Sequence, residues 1–279
     1  DLRLSKAGAD LLHHPDDRPL LSRSATFNTA TPIQKLMAIR GVIFDVDGTV
    51  VRGDDPLPGA AAGVVAVDDA GLDRLFVSNN PTKPPAAYER RLGRAGIAVD
   101  ADEVLTAGSV TADYLSTHHA TDDVAVVGEQ SLVELLLDAG VDARRVDGAT
   151  VTQIDSPDHE APTRPDVLVA SIDREFHYDT LRTALWLLSD PSVTFLGTDP
   201  DVVIPAPHAD VPGSGAMINA IANVVGRDPH AILGKPSATM RDTALDRLGL
   251  DPEDLLIVGD RLDTDIALGA ESGMTTALV

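Results

Sequence analysis

Apolar residues occur along this chain in short runs that end in polar, mostly glycine-containing turns. The runs cover residues 41–44 (GVIF), 75–77 (LFV), 124–127 (VAVV), 167–170 (VLVA), 193–196 (VTFL), 231–233 (AIL) and 255–258 (LLIV). Short apolar runs bounded by turn residues are typical of buried strands. The pattern therefore predicts a strand at each run.

Stretches with helical spacing of apolar residues lie between these runs. Residues 59–71 and 131–140 show this spacing, and so do residues 237–249, where Ser237 is a plausible N-cap. The predicted buried face of this last helix consists of Met240, Ala244, Leu245 and Leu248. Strands that alternate with helices indicate βαβ units and a parallel sheet, so the predicted fold class is α/β.

Polar clusters follow four of the runs, where the predicted strands end. They are Asp45-Val46-Asp47-Gly48-Thr49, Ser78-Asn79-Asn80, Gly234-Lys235-Pro236 and the segment from Gly259-Asp260 to Asp265. In open α/β sheets, ligands bind outside the carboxyl ends of the strands. We therefore expect the four clusters to form one site.

The residue types in these clusters suit a divalent cation and a phosphoryl group. Asp45 and Asp47 lie one residue apart, and two such carboxylates either share a cation or form a solvated turn. Mg²⁺ prefers oxygen ligands and takes one or two carboxylates together with substrate phosphate. Asp45 and Asp260 can supply these carboxylates, while Lys235 and Ser78 can hold the phosphoryl oxygens that the metal does not reach.

Composition limits the classes of protein to which the chain can belong. Hydrophobic residues make up 43% of its 279 residues, which predicts a globular protein with a sizeable core. The absence of cysteine excludes disulfides, thiolate nucleophiles and zinc–sulfur sites. No apolar run approaches the roughly 20 residues that span a bilayer, and no signal peptide is evident. We expect a cytoplasmic enzyme.

The charged residues are strongly biased in sign and type. The net charge is −22, with 36 Asp against 8 Glu and 18 Arg against 4 Lys. An acidic, lysine-poor surface resembles that of proteins from salt-loving archaea, since concentrated salt screens its self-repulsion. Phosphate backbones repel such a surface, which argues against a nucleic-acid partner.

The first 36 residues differ from the rest of the chain. Residues 1–36 carry a net charge of +1, whereas residues 37–279 carry −23. Met37 stands just before the first predicted strand. We expect residues 1–36 to lie outside the fold, with the domain starting at Met37; an ordinary polar N-terminal arm is the alternative.

Four sequence motifs resemble those of a known family. DVDGTV (45–50), VSNN (77–80), GKP (234–236) and GDRLDTDI (259–266) occur in the order found in the haloacid dehalogenase superfamily of phosphohydrolases. The long insert between the second and third motifs resembles capped subclass IIA, the group of p-nitrophenylphosphatases, phosphoglycolate phosphatases and NagD-type nucleotide phosphatases. Relatives usually continue beyond the position of Val279, so we expect a terminal segment to be missing.

The resemblance implies a domain organisation. It predicts a Rossmann-like parallel-sheet core formed by residues 37–120 and 208–279, with a smaller α/β cap inserted at 121–207. Caps of this kind close over the site, exclude water and contact the leaving group. Relatives often have asparagine where this chain has Asp199, and a negative charge there at the cap edge would disfavour polyanionic substrates.

The resemblance also assigns catalytic and metal-binding roles. Asp45 is the expected nucleophile and a metal ligand, and it forms an aspartyl-phosphate. Asp47 protonates the leaving oxygen, then activates water, and binds the metal through its backbone carbonyl. Its crowded acidic neighbourhood would favour the protonated form that this role needs. Asp260 completes the Mg²⁺ ligands, and Asp265 lies near the metal, bound through water.

The phosphate-binding roles fall on two other motifs. Ser78, Asn79 and Asn80 are expected to contact the phosphate, and Lys235 to neutralise it together with Mg²⁺. Other interpretations stay open, in which Ser78 is only a turn residue and Lys235 a surface lysine. Asp263 is expected to cap a helix and not to bind the metal.

These roles predict a Mg²⁺-dependent phosphatase for small phosphate monoesters. The expected partner is a small phosphorylated metabolite, with no nucleic acid and no membrane, and we expect a homodimer formed through the cap. A phosphomutase, which passes the phosphoryl group to a second hydroxyl, is one alternative. A protein that binds Mg²⁺ and phosphate without turnover is the other.

Overall fold

The computed structural model describes residues 38–146, 163–206 and 209–279. The predicted extension 1–36 and the predicted start of the domain at Met37 lie outside these residues. The described strands, in chain order, are β1 (Gly41–Asp45), β2 (Val51–Arg52), β3 (Asp55–Pro56), β4 (Asp73–Ser78), β5 (Val104–Thr106), β6 (Val124–Val127), β7 (Ala143–Arg145), β8 (Val167–Ala170), β9 (Thr194–Gly197), β10 (Val203–Ile204), β11 (Val211–Pro212), β12 (Ala231–Ile232), β13 (Leu255–Gly259) and β14 (Thr275–Leu278). Each of the seven predicted strands is present.

The described helices connect and cover these strands. They are α1 (Ala60–Asp69), α2 (Pro85–Arg94), α3 (Ala107–His118), α4 (Gln130–Asp138), α5 (Tyr178–Leu188), α6 (Ser214–Val225), α7 (Ala238–Leu248) and α8 (Ala267–Ser272). Ser237 caps α7 as predicted, since its Oγ accepts a hydrogen bond from the backbone N–H of Met240 at 3.1 Å. None of the helices in the described part of the chain is long and apolar enough to cross a membrane.

The first sheet is parallel and has the order β14-β13-β1-β4-β5. Alternate side chains of the central strand β1 point to opposite faces, as strand geometry requires. Val42 and Phe44 belong to one buried cluster and Ile43 to another, and the Phe44 and Phe76 rings stack 5.5 Å apart. Because β1 is covered on both faces, it is apolar along its length until it ends at Asp45.

The second sheet is also parallel and has the order β12-β9-β8-β6-β7. Buried clusters on its two faces contain alternate residues of β6, with Val124 and Val126 on one face and Ala125 and Val127 on the other. Two short antiparallel pairs, β2–β3 and β10–β11, complete the described strands. The predicted α/β fold class is confirmed.

The division between the two sheets differs from the predicted domain boundary at residues 207 and 208. Strand β12 pairs with β9 in the second sheet, with Ala231 opposite Leu196. Helix α6 packs on the same sheet through Ile218 and Ile221. The chain therefore returns to the first sheet after β12, about 25 residues later than predicted, because the apolar face of α6 is buried against the cap strands. Residues 147–162 of the predicted cap lie outside the described residues.

Candidate active site

Strands of the first sheet bring three of the predicted clusters to one edge. Asp45 ends β1, Ser78 ends β4 and Gly259 ends β13, and these strands are parallel neighbours. The fourth cluster follows β12 of the second sheet, where Gly234 N–H donates to the carbonyl oxygen of Thr198 at 2.7 Å. The four clusters thus form one site, as predicted, but the fourth cluster comes from the second sheet, whereas the sequence assigned it to the core sheet.

Lys235 lies at the centre of this site. Its Nζ donates to Oδ1 of Asp45 and to Oδ1 of Asp265, each at 2.6 Å, and to the carbonyl oxygen of Val77 at 3.2 Å. Only 2% of Lys235 is exposed, which excludes the surface-lysine alternative. Burial alone would lower the pKa of Lys235, but the two carboxylates outweigh burial and raise it. Lys235 therefore remains charged.

The side chain of Asn79 holds the backbone around Lys235. Its Oδ1 accepts from the Lys235 N–H at 2.7 Å, and its Nδ2 donates to the Lys235 carbonyl at 3.1 Å. A Cβ at Gly234 would lie 2.8 Å from this Oδ1, so the contact requires glycine there. Asn79 was predicted to contact phosphate; here its amide fixes the lysine that is to neutralise the phosphate.

Asn80 organises the turn after β4. Its Oδ1 accepts hydrogen bonds from the backbone N–H groups of Thr82 and Lys83, at 2.8 and 3.2 Å. Its own N–H donates to Oγ of Ser78 at 3.2 Å. The side-chain oxygen of Asn80 is thus already engaged within the loop, and a contact with phosphate stays a prediction.

Three carboxylates are placed to bind a metal ion. Oxygen atoms of Asp45, Asp260 and Asp265 all lie within 4.8 Å of one another. Oδ2 of Asp45 is buried, and no group in the described part of the chain bonds to it. Gly48 has φ +108°, and a Cβ there would come within 2.2 Å of Oδ2 of Asp260. The oxygen donors and the unsatisfied carboxylate oxygen fit a hard divalent cation such as Mg²⁺.

The electrostatics of the carboxylates support this fit. Burial raises the pKa of Asp45 to about 6, an effect that Lys235 opposes and the charge of Asp265 reinforces. Burial and the charge of Asp265 likewise raise the pKa of Asp260. One lysine cannot neutralise three carboxylates, so a bound cation would favour their ionised forms.

Asp47 lies in a different environment from Asp45. The prediction that acidic groups crowd around its carboxylate is wrong. Its Oδ1 lies 2.7 Å from Nη1 of Arg91, and its Oδ2 accepts from Oγ of Ser78 at 3.1 Å and from the hydroxyl of Tyr88 at 3.3 Å. The side chain is 46% exposed. Asp47 turns outward because β1 has ended, so its carboxylate meets hydrogen-bond donors of β4 and α2.

Sequence reasoning missed Tyr88 and Arg91, although a signal was present. The two residues are three positions apart in α2 and therefore share a helix face with the buried Leu92. Burial and the nearby Asp47 carboxylate raise the pKa of Tyr88, so its hydroxyl keeps its proton. An arginine on an otherwise apolar helix face indicates a buried partner, which here is Asp47.

Asp263 is not the helix cap that was expected. The π-helical turn Leu262–Ile266 begins after Arg261, and Asp263 instead pairs with the Arg261 guanidinium at 3.0 Å. Arg261 also pairs with Asp201 at 3.0 Å and thereby joins this turn to the segment after β9. Asp263 is 71% exposed in its side chain and lies outside the group of three close carboxylates.

A cleft of about 330 Å³ joins these elements. The predicted site residues that line it are Asp45, Asp47, Ser78, Asn79, Asn80, Lys235 and Asp260. Its other wall carries the cap residues Ile172, Arg174 and Ile204. Asp265 is the one predicted site residue that does not line the cleft. It lies behind the cleft wall, where it accepts a hydrogen bond from Lys235.

Asp199 does not present a charge to this cleft, contrary to expectation. It is 1% exposed, and its Oδ2 accepts from Oγ1 of Thr198 at 3.0 Å. Burial raises its pKa to about 7, although the hydrogen bonds from Ser214 and Thr198 act in the opposite direction. Asp199 therefore belongs to the interior beside the second sheet and does not contact the substrate space.

Comparisons with known proteins agree with this geometry. A family model described as haloacid dehalogenase-like hydrolase matches residues 42–142, and one described as HAD-hydrolase-like matches residues 232–279. The acid sugar phosphatase of Staphylococcus epidermidis is 32% identical over 234 residues, which are 84% of this chain and 83% of that protein. That of Staphylococcus aureus is 32% identical over 237 residues, 85% of each chain.

Solved structures of other proteins are also similar to this chain. The p-nitrophenyl phosphatase from Archaeoglobus fulgidus has a TM-score of 0.75 and 32% identity, and the alignment covers 86% of this chain and 85% of that one. NagD from E. coli K-12 has a TM-score of 0.71 and 28% identity, with 86% and 87% of the two chains covered.

Proposed function

Because this chain belongs to the haloacid dehalogenase-like hydrolases of capped subclass IIA and is a phosphoric monoester hydrolase, we propose that it hydrolyses small phosphate monoesters with Mg²⁺ through an aspartyl-phosphate on Asp45. One observation carries the proposal. The buried Lys235 bonds to Asp45 beside an Asp45 oxygen that has no partner among the described residues. That arrangement supports a nucleophile whose charge must be cancelled before it meets a phosphate.

In the first step, an oxygen of Asp45 bonds to phosphorus as the bond between phosphorus and the leaving oxygen breaks. Asp47 gives its proton to that leaving oxygen, which departs as an alcohol. Lys235 offsets negative charge on Asp45 and on the phosphoryl oxygens, and Ser78 donates a hydrogen bond to one of these oxygens. The N–H groups of the turn at Asn79 and Asn80 are proposed as further donors.

In the second step, a water oxygen bonds to phosphorus as the bond to Asp45 breaks. Asp47 takes the proton of this water, so both aspartates return to their starting states and phosphate leaves. Asp45, Asp260 and the backbone carbonyl of Asp47 would hold Mg²⁺, and Asp265 would add its charge beside them. Mg²⁺ supplies charge neutralisation for the phosphoryl group.

The size of the cleft and the activities of the relatives support a proposal for the substrate class. A cleft of about 330 Å³ suits a small leaving group, and its wall mixes the apolar Ile172 and Ile204 with Arg174. Relatives are acid sugar phosphatases and p-nitrophenyl phosphatases. We propose a small phosphorylated metabolite as the physiological substrate, and homodimerisation through the cap and a cytoplasmic location stay predictions.

The proposal is tested by phosphate release from p-nitrophenyl phosphate in molar KCl, with Mg²⁺ or with EDTA. We expect release with Mg²⁺, none with EDTA and none from Asp45→Asn. The matched control is Asp73→Asn, an exposed aspartate at the opposite end of the neighbouring strand β4, which should keep full activity. Transfer of phosphate to a second hydroxyl would favour a phosphomutase, and binding without turnover a non-catalytic protein; either result contradicts the proposal.

A further inference from the structure

The guanidinium of Arg91 joins three parts of the molecule. Its Nη1 lies 2.7 Å from Oδ1 of Asp47, and its Nε donates to the carbonyl oxygen of Gly53 at 2.7 Å. Its Cζ lies 5.6 Å from the centre of the Tyr88 ring. Only 7% of the Arg91 side chain is exposed, so leaving this cation unpaired would be costly. Arg91 thus fixes α2, the β2–β3 hairpin and Asp47 relative to one another.

Tyr88 holds the second oxygen of the same carboxylate. Its ring is fully buried, and its hydroxyl lies 2.9 Å from Oγ of Ser78 and 3.3 Å from Oδ2 of Asp47. Both oxygens of Asp47 are therefore engaged, Oδ1 by Arg91 and Oδ2 by the two hydroxyls. All of these donors are buried, whereas Asp47 itself is 46% exposed.

An exposed aspartate normally keeps its rotamer freedom, and losing that freedom has an entropic cost. Asp263 is an example of an exposed aspartate with few contacts, since its side chain is 71% exposed and pairs with a single arginine, Arg261. Asp47 instead faces the cleft while buried groups fix it from behind. This arrangement sets the direction of a carboxylate whose proton must reach a particular atom of the substrate.

Ser78 cannot hold both Asp47 and the phosphate. Its hydroxyl has one proton, which now faces Asp47 or Tyr88. When Ser78 donates that proton to a phosphoryl oxygen, only Arg91 and Tyr88 remain as donors to Asp47. Phosphate binding therefore leaves the position of Asp47 dependent on these two residues of α2.

Resting on the function proposed above, we propose that Arg91 and Tyr88 are positioning residues that aim the Asp47 carboxylate at the leaving oxygen and then at the attacking water. In the first step the Asp47 proton passes to the leaving oxygen as the phosphorus bond to that oxygen breaks. In the second, a water proton passes to Asp47 as the phosphorus bond to Asp45 breaks. Neither residue touches the reacting atoms.

The test compares two leaving groups in pre-steady-state experiments with Mg²⁺. p-Nitrophenolate is a weak base that needs little help from an acid, whereas the alkoxide of glycerol phosphate needs a proton. For Tyr88→Phe and Arg91→Gln we expect the first turnover of p-nitrophenyl phosphate to stay within twofold of wild type. Steady-state release should fall about tenfold and phosphoenzyme should accumulate, and the first turnover of glycerol phosphate should also fall about tenfold. The affinity for vanadate should not change.

Two further variants separate positioning from structural damage. Arg91→Lys should recover part of the rate, since it keeps a cation near Asp47. Arg94→Gln, on the same helix but exposed and paired with Asp54, should behave as wild type. Tyr88→Phe keeps the buried ring, so it stays informative if Arg91→Gln unfolds.

Equal first-turnover losses with the two substrates, a loss of vanadate affinity or an unchanged steady-state rate in Tyr88→Phe would overturn the inference. If wild type releases phosphate without any phosphoenzyme, or releases none, the proposed function fails and this inference fails with it.

Discussion

Asp45 and Asp47 are separated by one residue, yet the fold places them in opposite environments. Asp45 is 6% exposed and shares the Lys235 ammonium with Asp265, and one of its oxygens is unpartnered within the described chain. Asp47 is half-exposed and bonded by Arg91, Ser78 and Tyr88.

The difference arises at the end of β1. Within the strand successive side chains alternate between two buried faces, and after the last paired residue the chain turns toward the cleft. A buried, cation-requiring carboxylate suits a nucleophile, and a half-exposed carboxylate held by donors suits a group that exchanges protons with substrate and water. The contrast teaches that environment, not residue type, separates the roles proposed for the two aspartates.

The largest effect is expected when Lys235, the lysine that pairs with Asp45, is replaced. Lys235→Met leaves Asp45 and Asp265 buried without their shared ammonium, so activity should fall by at least about a thousandfold. The free energy of unfolding should fall by about 3–5 kcal/mol in the absence of metal. Phosphate release and thermal unfolding measure the two effects. Lys83→Met, an exposed lysine, is the control and should change neither.

Replacing Mg²⁺ by Ca²⁺ tests the proposed role of Asp45 as metal ligand and nucleophile. Ca²⁺ takes six to eight ligands at longer distances than Mg²⁺ and often binds a carboxylate through both oxygens. It should therefore bind Asp45 in a way that blocks attack, with a rate about a hundredfold or more below that with Mg²⁺. Initial rates with each ion in turn test this, and comparable rates would show that the metal site is misassigned.

Asp199 shows what burial does to an aspartate with no bonded cation among the described residues. Its pKa is raised from 3.8 to about 7 in the folded protein, so its contribution to stability is fully present below about pH 4 and is lost as pH rises through 7. Asp199→Asn should therefore stabilise the protein above pH 7, by at most about 4 kcal/mol, and make little difference below pH 4. Thermal unfolding from pH 4 to 8 measures this. A stabilisation that is larger at pH 4 than at pH 8 would contradict the assignment.

The smallest effect concerns the exposed acids. A chain with net charge −22 should gain a few degrees in melting temperature as KCl rises from low to molar concentration, because salt screens repulsion between exposed carboxylates. The buried Asp45–Lys235–Asp265 group should respond little. A melting temperature that falls steadily with KCl would refute the salt-adapted interpretation of the composition.

Much of the first sheet could be predicted because its strands are apolar on both faces and end in polar clusters. Three of the four clusters meet because β1, β4 and β13 are parallel neighbours that end at one edge, and the fourth reaches them from β12 of the second sheet. The boundary near residue 207 was misplaced because an amphipathic helix such as α6 does not reveal which sheet it covers. The partners of Asp47 were missed for a similar reason, as a contact between the turn after β1 and helix α2 depends on tertiary packing.

Locating covalent phosphate in the two aspartate variants after rapid acid quench tests the proposed roles of Asp45 and Asp47 most directly. With p-nitrophenyl phosphate and Mg²⁺, Asp47→Asn keeps the nucleophile but cannot activate water, so phosphate should accumulate on Asp45 and be visible by mass spectrometry. Asp45→Asn should never carry phosphate. Phosphate on Asp47 or on any other residue would contradict the division of roles between the two aspartates.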